Sequence, residues 1–329
     1  MDKFRAFRIF SENNKTAGRV VDVALDELSA GEVVFRTAYS SVNYKDALAA
    51  TGAGGKIIRN FPLIGGIDAA GTVVTSSDGR FKAGDEVICT SYDMGVAHDG
   101  GYAQYCRVPA DWVVPLPKGM SLFDAMALGT AGYTAGLAIC LLEQNELKPA
   151  NGKVLVNGAT GGVATLAIDM LSGLGYHVTA VTGKDGEHEF LKKIGAAEVL
   201  SRQSIEMGTR PLERATWAAG FDSVGGEQLA WLTRTMQPHG VIASFGNAGG
   251  IELKTTVLPF ILRGVRLIGV DSAFTPMSLR REVWKRLAGE LKPRHLGDIA
   301  FTITLDDLPG HFEKMLKAGT RGRAVVKIQ

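Results

Sequence analysis

The sequence has few of the residues that metal sites and disulfide frameworks need. Its three cysteines, Cys89, Cys106 and Cys140, are an odd number, lie far apart and sit within or beside apolar runs. No two of them have the C-x-x-C spacing, which argues against a structural zinc lobe and favours buried, reduced thiols. The six histidines are scattered without the spacing of metal ligands. We therefore predict no metal site.

A strong charge of one sign and long apolar stretches are also lacking. The net charge is +2, and no run of lysine or arginine is long enough to bind nucleic acid. The N-terminal residues Met1-Asp2-Lys3-Phe4-Arg5 lack the apolar core of a signal peptide, and no stretch is expected to be apolar for the length of a bilayer. These absences predict a cytoplasmic protein with no nucleic-acid or membrane partner, and 329 residues suit two domains.

Glycine is plentiful, and the most informative glycine-rich stretch runs from Lys153 to Ala164. Val154 to Val156 predict a buried strand, a turn follows, and an apolar helix is predicted from Val163 to Leu174. Glycines allow pyrophosphate to approach the backbone, and the start of the helix offers free N–H groups. The run is G-x-x-G-G-x-A rather than G-x-G-x-x-G, so an ordinary glycine turn is the alternative.

Strands and helices alternate after this loop, which is typical of a parallel, doubly wound sheet. The loop would then lie at the sheet edge where dinucleotides bind, and a second glycine-rich loop that includes Asn247 follows the fifth strand at the same edge. The predicted later strands are 177–182, 198–200, 216–224, 241–245 and 266–272, with a helix near 187–194.

The residues after the second strand of this sheet indicate which dinucleotide binds. An NAD site usually has an acid there, whereas this chain has Thr182-Gly183-Lys184 and no acid before Asp185. A hydroxyl, an N–H group and an ammonium suit a 2′-phosphate, and Arg202 after the third strand can add a bidentate cation. Either cation alone is as readily a solvated loop charge, but with the missing acid they favour NADPH.

The first third of the chain is predicted to form a partly closed β-barrel. Asn43, Tyr44 and Asp46 follow one of its strands directly, and a phenol can donate a proton while an amide can orient a ribose or a nicotinamide. A helix cap with a packed tyrosine is the alternative. The predicted barrel strands are 4–10, 19–25, 32–39, 70–75, 86–91 and 102–108.

Two helical stretches and a short tail complete the chain. The alanine-rich stretch 122–142 contains Gly129-Thr130-Ala131-Gly132, where small residues permit close approach of either a packed backbone or a ligand. The helix 278–291 has Arg281 and other basic residues on its polar face, which can meet an anionic substrate or be solvated. The tail has predicted strands at 299–304 and 323–328 around a helix at 308–317.

In this order the motifs resemble the medium-chain dehydrogenase/reductase superfamily along essentially the full chain. Zinc alcohol dehydrogenases have Gly-His-Glu where this chain has Gly66-Ile67-Asp68, and the cysteines that bind zinc in them are missing here. The chain therefore resembles the zinc-free, quinone-oxidoreductase-like branch. Within that branch, four runs resemble the NADPH-dependent acryloyl-CoA reductase subfamily, namely Asn43 to Leu48, Gly55 to Pro62, Pro259 to Arg263 and Gly269 to Ser272.

The resemblance implies an α/β fold, with a GroES-like partly open β-barrel substrate domain and a Rossmann doubly wound parallel sheet domain. The expected boundaries are 1–124 for the substrate domain, 125–272 for the Rossmann domain and 273–329 for a return to the substrate domain. An active site between the domains and a homodimer that pairs the strand 266–270 across a two-fold axis are also implied.

The resemblance and the residue patterns together predict three sets of site residues. The catalytic candidates are Tyr44, Asn43 and Asp46. The NADPH contacts are predicted to be Tyr44, Thr130, Thr160, Gly161, Gly162, Val163, Thr182, Gly183, Lys184, Arg202, Asn247, Ile261 and Ser272. The candidates for binding the phosphates of coenzyme A are Lys56, Arg59, Arg263 and Arg281.

The predicted reaction is NADPH-dependent reduction of a short 2-enoyl-CoA, with acryloyl-CoA first and propanoyl-CoA as its product. Hydride reaches the β-carbon, and Tyr44, Asn43, a backbone N–H or the ribose hydroxyl stabilises the oxyanion at the thioester. Water is an alternative proton source. A quinone oxidoreductase and an NADPH-binding protein without turnover are the alternative functions.

Overall fold

The computed structural model describes residues 3–13 and 15–329, so the first two residues of the stretch Met1–Arg5 lie outside the described part. The chain divides into two compact units. The first contains the residues up to Ala131 together with Ala273–Ala288 and Ala300–Gln329. The second contains Gly132–Ser272 and Gly289–Ile299.

The strands are numbered in chain order. They are β1 (Phe4–Glu12), β2 (Lys15–Val23), β3 (Val33–Ser41), β4 (Leu63–Ile64), β5 (Asp68–Ser76), β6 (Glu86–Thr90), β7 (Tyr105–Val108), β8 (Val113–Pro115), β9 (Lys153–Val156), β10 (His177–Thr182), β11 (Glu198–Ser201), β12 (Trp217–Asp222), β13 (Met236–Ser244), β14 (Arg266–Gly269), β15 (Ala300–Ile303) and β16 (Arg323–Lys327).

The α-helices are numbered in the same way. They are α1 (Tyr44–Thr51), α2 (Leu122–Gln144), α3 (Gly162–Gly173), α4 (His188–Lys193), α5 (Gly226–Thr235), α6 (Leu258–Arg263), α7 (Met277–Ala288), α8 (Leu296–Ile299) and α9 (Leu308–Leu316).

The first unit is built from two mainly antiparallel sheets. One has the order β2-β1-β4, and the other has the order β15-β16-β3-β5-β6-β8 with β7 also paired to β3. β16 pairs antiparallel with β3, so the C-terminal strand of the chain lies beside the strand that leads into α1. Phe7, Tyr102 and Phe312 form edge-on or tilted ring contacts in the core between these sheets.

The second unit contains one parallel sheet with the order β11-β10-β9-β12-β13-β14. Helices α3, α4, α5 and α6 pack against its strands, and the order reverses between β9 and β12, which is the Rossmann arrangement. The sheet residues Val154, Leu155 and Val156 are fully buried because neighbouring strands and helices cover both faces. The predicted α/β fold class is confirmed.

Helix α2 differs from the prediction in two ways. It extends to Gln144, and the backbone of Gly129 inside it is not helical, with φ 52° and ψ −154°. The helix is also long and apolar enough to cross a membrane, so the expectation that no stretch reaches that length is wrong. Its most apolar window is 89% buried inside the protein, which identifies α2 as a core helix.

In the first unit, β2 spans Lys15–Val23 rather than 19–25, and β7 begins at Tyr105 rather than at 102. Other differences concern the Rossmann sheet. β13 begins at Met236, five residues before its predicted start, because the strand continues through Pro238 and His239, residues that usually end strands. His239 has a positive φ of 63°. β14 ends at Gly269 rather than at Ser272, and the short helix α6 was not predicted.

Candidate functional site

The start of α1 carries the predicted catalytic residues. Asn43 precedes the helix, and its backbone N–H donates to Oδ2 of Asp46 at 2.8 Å. An amide at the helix cap and an acid three residues later favour a helix start at this point. Asn43 and Asp46 are buried, whereas Tyr44 between them is 45% exposed.

A buried acid–arginine cluster surrounds this helix start. We define it as Asn43, Asp46, Asp68, Thr130 and Arg323, all of which belong to the first unit. Oδ2 of Asp68 accepts hydrogen bonds from Asn43 Nδ2 at 2.7 Å and from Thr130 N at 2.9 Å, and its Oδ1 accepts from Thr130 Oγ1 at 2.5 Å. Ser41 Oγ adds a bond of 2.6 Å to Oδ2. Asp68 is thus fully engaged as an acceptor.

Arg323 supplies the positive charge of the cluster. Its guanidinium donates to the carbonyl oxygens of Val42 at 2.8 Å and Ala127 at 3.1 Å and to the Ser41 hydroxyl at 2.8 Å. Nη2 lies 4.0 Å from Oδ2 of Asp68. A buried charge needs a partner and satisfied donors, and this arginine has both.

Gly129 allows Thr130 to join the cluster. A Cβ atom at position 129 would lie 2.5 Å from Asp68 Oδ2 and 2.5 Å from Ser41 Oγ. The positive φ and the crowding therefore both require glycine. Because the helical backbone is interrupted here, the Thr130 N–H points at Asp68 instead of at the carbonyl four residues earlier.

The cluster holds two carboxyl groups but one guanidinium. Burial, and then the nearby charge of Asp68, raises the pKa of Asp46 to about 7, against opposing hydrogen bonds from Asn43 and Ile67. Burial lowers the pKa of the Arg323 guanidinium, and the charges of Asp68 and Asp46 oppose that shift. Near neutral pH, Asp46 therefore exchanges a proton in a buried site.

These contacts separate the three catalytic candidates. The Asn43 side chain is occupied, because Nδ2 donates to Asp68 and Oδ1 accepts from Arg323 at 3.3 Å. The oxygens of Asp46 accept from the backbone N–H groups of Asn43 and Ile67. The Tyr44 hydroxyl has no hydrogen-bond partner among residues 3–13 and 15–329, and it is the exposed donor of the three.

The predicted phosphate loop lies between β9 and α3 in the second unit. Gly158 has a positive φ of 57°, and a side chain there would collide with the Ser223 hydroxyl. Gly161 caps α3 without a side-chain hydrogen bond, which leaves the first N–H groups of a twelve-residue helix for a ligand. Thr160 is buried beside this turn, while Gly161 is exposed. The loop fits a pyrophosphate group.

The residues predicted to bind a 2′-phosphate, Lys184 and Arg202, lie just after the ends of two neighbouring strands, β10 and β11. Thr182 pairs in register with Ser201, so Lys184 and Arg202 follow neighbouring strand ends. A Cβ atom on Gly183 would lie 3.0 Å from Cζ of Arg202, which places the guanidinium directly against this glycine. The edge has two cations and no acid at the strand tip, so it fits the 2′-phosphate of NADP.

The other predicted cofactor contacts are spread over both units. Tyr44 and Thr130 belong to the first unit, and Thr130 is engaged with Asp68. Asn247 lies exposed in the loop after β13, and Ile261 on α6 is 68% exposed. Ser272 accepts a hydrogen bond from Thr134 Oγ1 at 2.8 Å.

The four predicted CoA cations have different environments. Lys56 and Arg59 are exposed, and Arg59 lies 3.7 Å from Asp93. Arg263 donates to three backbone oxygens, those of Glu213, Arg234 and Met236, and so joins α6 to β13. Arg281 is exposed on α7. We therefore leave Arg263 out of the proposed substrate contacts.

Comparison with known proteins decides the family. Residues 29–118 match the family described as the alcohol dehydrogenase GroES-like domain, and residues 162–289 match the zinc-binding dehydrogenase family. The acrylyl-CoA reductase AcuI of Ruegeria pomeroyi is 45% identical over 96% of both chains. The chain belongs to the medium-chain dehydrogenase/reductase superfamily.

Two further members of this superfamily are similar to the chain over almost its whole length. YhfP of Bacillus subtilis, provisionally named a quinone oxidoreductase, is 46% identical over 99% of both chains, and a structure of yhfP was solved with NAD bound. The yhdH oxidoreductase of Salmonella enterica, solved with NADP, is 45% identical and superposes with a TM-score of 0.96 over 99% of this chain and all of its own.

The residues of this chain that the structure describes do not gather as metal ligands. Across residues 3–13 and 15–329, no group of three or more His, Cys, Asp or Glu side chains could hold a metal ion. Asp68, at the position of the Gly66-Ile67-Asp68 motif, is hydrogen-bonded into the acid–arginine cluster. Independence from zinc stays a prediction.

Proposed function

We propose that the chain reduces the carbon–carbon double bond of a short 2-enoyl-CoA with NADPH, converting acryloyl-CoA to propanoyl-CoA. The observation that carries this proposal is the similarity to the Ruegeria pomeroyi acrylyl-CoA reductase over nearly the whole of both chains. The strand edge at Gly183 supports the choice of NADPH over NADH, since Arg202 lies against Gly183, Lys184 follows it in sequence, and no acid precedes Asp185 at this strand tip.

The residues of the chain have distinct tasks in this reaction. Bound NADPH supplies the hydride for the β-carbon of the thioester. Charge then develops on the thioester oxygen, and a positioned donor lowers the barrier. The Tyr44 hydroxyl is that donor in our proposal, since it is exposed and unpaired among the described residues. The acid–arginine cluster holds the start of α1, so that Tyr44 is presented from a fixed helix terminus.

Reduction of quinones is the second candidate function. It is favoured by one observation, the 46% identity with YhfP of Bacillus subtilis. A quinone has no nucleotide end, so it needs no cations beyond those that bind the cofactor.

The two candidates are separated by NADPH oxidation with acryloyl-CoA, crotonyl-CoA and a benzoquinone in parallel, with NADH as the control cofactor. We expect rapid turnover with acryloyl-CoA and NADPH. Turnover with the quinone alone would refute the thioester proposal and leave the NADPH site standing. Binding of NADPH without oxidation in any assay would instead indicate a non-catalytic protein.

We also propose a homodimer joined through the β14 edge. No strand of the described chain covers the outer side of β14, and exposed edges tend to pair. Five apolar side chains lie exposed within the fifteen residues before it, at Ile251, Leu253, Val257, Ile261 and Leu262.

The dimer proposal is tested by light scattering after size-exclusion chromatography. Val257→Asp with Leu262→Asp should convert the dimer to a monomer. Val74→Asp, at an exposed position on β5, is the matched control and should leave a dimer. A monomeric wild type would refute the proposal.

A cytoplasmic location completes the proposal. All three cysteines are buried free thiols, which suits a reducing compartment. Fractionation of the source cells should recover the protein with cytoplasmic markers, and recovery with the membrane or the exported fraction would contradict this.

A further inference from the structure

A cavity of about 460 Å³ lies in the first unit beside α7. Its lining includes the rings of Pro115 and Pro117, which have exposed surface, the buried residues Phe81 and Trp284, and three cations, Arg80, Arg281 and Lys285. The volume falls within the roughly 300–1,000 Å³ of typical small-molecule sites. We call it the α7 cavity. Apolar ring surface combined with cations suits a ligand that has a planar ring and negative charges.

The positive charge of the α7 cavity comes from the helix. Arg281 and Lys285 are four residues apart, so both project from the same face of α7, and both are exposed. Within the described part of the chain, neither has a carboxylate within ion-pair distance. Arg80 differs, because it contacts Asp78 at 2.8 Å and Asp111 at 2.7 Å. Two unpaired like charges repel one another, and a bound anion would relieve that repulsion.

Strand β6 connects the α7 cavity with the acid–arginine cluster. At the start of β6, Val87 pairs with Pro115 in the cavity wall. Beyond the end of β6, Ser91 Oγ lies 2.9 Å from Thr130 Oγ1 of the cluster. The four steps along the chain from Val87 to Ser91 span at most about 13 Å.

Helix α7 follows the same path. Near its start, Arg280 Nη1 donates to the carbonyl oxygen of Thr90 at 3.2 Å, at the cluster end of β6. One turn later, Trp284 and Lys285 line the cavity at the other end of the strand. The cavity and the cluster are therefore two ends of one strand–helix pair within the first unit.

We propose that the α7 cavity binds the nucleotide end of the coenzyme A substrate, with its phosphates on Arg281 and Lys285 and its adenine against the accessible rings of Pro115 and Pro117. This inference rests on the proposed function. The extended pantetheine arm of CoA is longer than the separation along β6, so the thioester can reach the cluster end while the nucleotide stays in the cavity. Arg281 provides a planar fork for phosphate and Lys285 a point charge.

The first test compares two substrates that share a thioester. Acryloyl-CoA carries the nucleotide, whereas acryloyl-pantetheine lacks it. For Arg281→Ala with Lys285→Ala, we expect the KM for acryloyl-CoA to rise at least tenfold with kcat within twofold, and the KM for acryloyl-pantetheine to stay unchanged. Lys314→Ala with Lys317→Ala, which removes two charges near the end of α9, is the matched control. An unchanged KM for acryloyl-CoA, or an equal rise for both substrates, would overturn the proposal.

A binding measurement keeps the inference testable if the wild type does not reduce acryloyl-CoA. Adenosine 3′,5′-bisphosphate is titrated into the protein by calorimetry, with saturating NADP⁺ present to fill the 2′-phosphate site at Lys184 and Arg202. We expect the ligand to bind the wild type and the control, Lys314→Ala with Lys317→Ala, with equal dissociation constants. A dissociation constant at least tenfold higher for Arg281→Ala with Lys285→Ala supports nucleotide binding in the α7 cavity even if the proposed reaction fails. No binding to the wild type, or equal binding to all three proteins, overturns it.

Discussion

At the residue scale, the side chains around the start of α1 are of two kinds. Most are buried and hydrogen-bonded to one another, and one, Tyr44, is exposed and can contact a ligand. Asn43, Asp46 and Asp68 use their polar atoms on one another and on backbone groups. Tyr44 adjoins them in sequence but is half exposed. Its hydroxyl is the donor that we assign to the thioester oxygen, and the buried acids fix the helix start that carries it.

Replacement of the Tyr44 hydroxyl tests this assignment. We expect Tyr44→Phe to lower kcat with acryloyl-CoA by roughly 100-fold, the size of effect seen when one oxyanion donor is removed. The dissociation constant for NADPH, measured by fluorescence titration, should change little. Tyr105→Phe is the control, since that ring packs on Phe4. Unchanged turnover in Tyr44→Phe would remove Tyr44 from the chemistry.

The preference for NADPH is also a residue-scale property. Lys184 and Arg202 follow the ends of the neighbouring strands β10 and β11, and a charged hydrogen bond contributes about 1.5–3 kcal/mol. Lys184→Ala with Arg202→Ala should raise the KM for NADPH by roughly 100-fold or more and leave the KM for NADH within twofold. Lys192→Ala, on the exposed face of α4, serves as the control. A parallel rise for both cofactors would contradict a 2′-phosphate site.

Sequence reasoning found part of the acid–arginine cluster and missed the rest. Asn43 and Asp46 stood out because they follow a strand directly. Arg323 was missed because its hydrogen-bond partners are 196 to 282 residues away, although an arginine that leads an apolar strand is itself a signal of a buried charge. Asp68 was noticed only as a departure from a zinc motif, and its role as the central acceptor required the fold.

At the scale of elements, α2 shows how one residue shapes a site. The alanine-rich pattern predicts a continuous helix, and its small residues 129–132 were interpreted as places of close approach. The break at Gly129 follows from contacts that no local pattern contains, namely those with Asp68, Ser41 and Arg323. The break turns a backbone N–H group into a hydrogen-bond donor for the cluster.

The substitution Gly129→Ala measures the cost of removing that break. The backbone conformation is one that side chains adopt at a cost of about 1–3 kcal/mol, and the collision with Asp68 adds to it. We expect a loss of at least about 3 kcal/mol in the free energy of unfolding, measured by urea denaturation. Gly84→Ala also has a positive φ but open space around it, so it should cost about 1 kcal/mol. Equal losses would show that crowding at Gly129 is unimportant.

The bounds of a Rossmann strand could be predicted where its local sequence sets them, but not where tertiary contacts lengthen the strand. β10 was predicted with its observed bounds because the strand is apolar and turn residues follow it. β13 begins early because its first residues pair with β12 at Trp217 before the ladder is interrupted, an effect of tertiary contact on a sequence that favours a turn.

At the scale of the whole molecule, the buried acid couples folding to pH. The pKa of Asp46 is 3.8 in an exposed chain and about 7 in the folded protein. Between these values the folded protein binds one more proton than the unfolded chain. The free energy of unfolding should therefore fall by about 1.4 kcal/mol per pH unit as the pH rises to about 7, and this contribution should be constant above it.

Urea midpoints at pH 5, 6, 7 and 8 test this coupling. The urea midpoint of the wild type should fall relative to that of Asp46→Asn as the pH rises to 7. The reason is that the folded wild type loses the proton of Asp46, whereas the variant has no proton to release at this position. Asp22→Asn, at an exposed position on β2, should follow the wild type. A pH profile of Asp46→Asn parallel to that of the wild type would mean that Asp46 is already ionised below pH 5.

The two units provide complementary parts of the proposed chemistry. The second unit has a phosphate loop and a cationic strand edge for NADPH, and the first has the acid–arginine cluster, Tyr44 and the α7 cavity. The preference for NADPH follows from the positive charge at the end of β10, and this preference could be predicted from the sequence. The substrate class depends on likeness to an acrylyl-CoA reductase, since no spacing of residues in this chain specifies a thioester.

The central claim is that hydride reaches the β-carbon of an enoyl thioester and a proton reaches its α-carbon. The most direct test is to incubate the enzyme and acryloyl-CoA with NADPH that carries deuterium at the transferred position, and to analyse the product by NMR. Our account predicts propanoyl-CoA with deuterium at C3 alone, and deuterium at C2 when unlabelled NADPH is used in heavy water. Absence of propanoyl-CoA, or transfer of the cofactor's deuterium to C2, would contradict it.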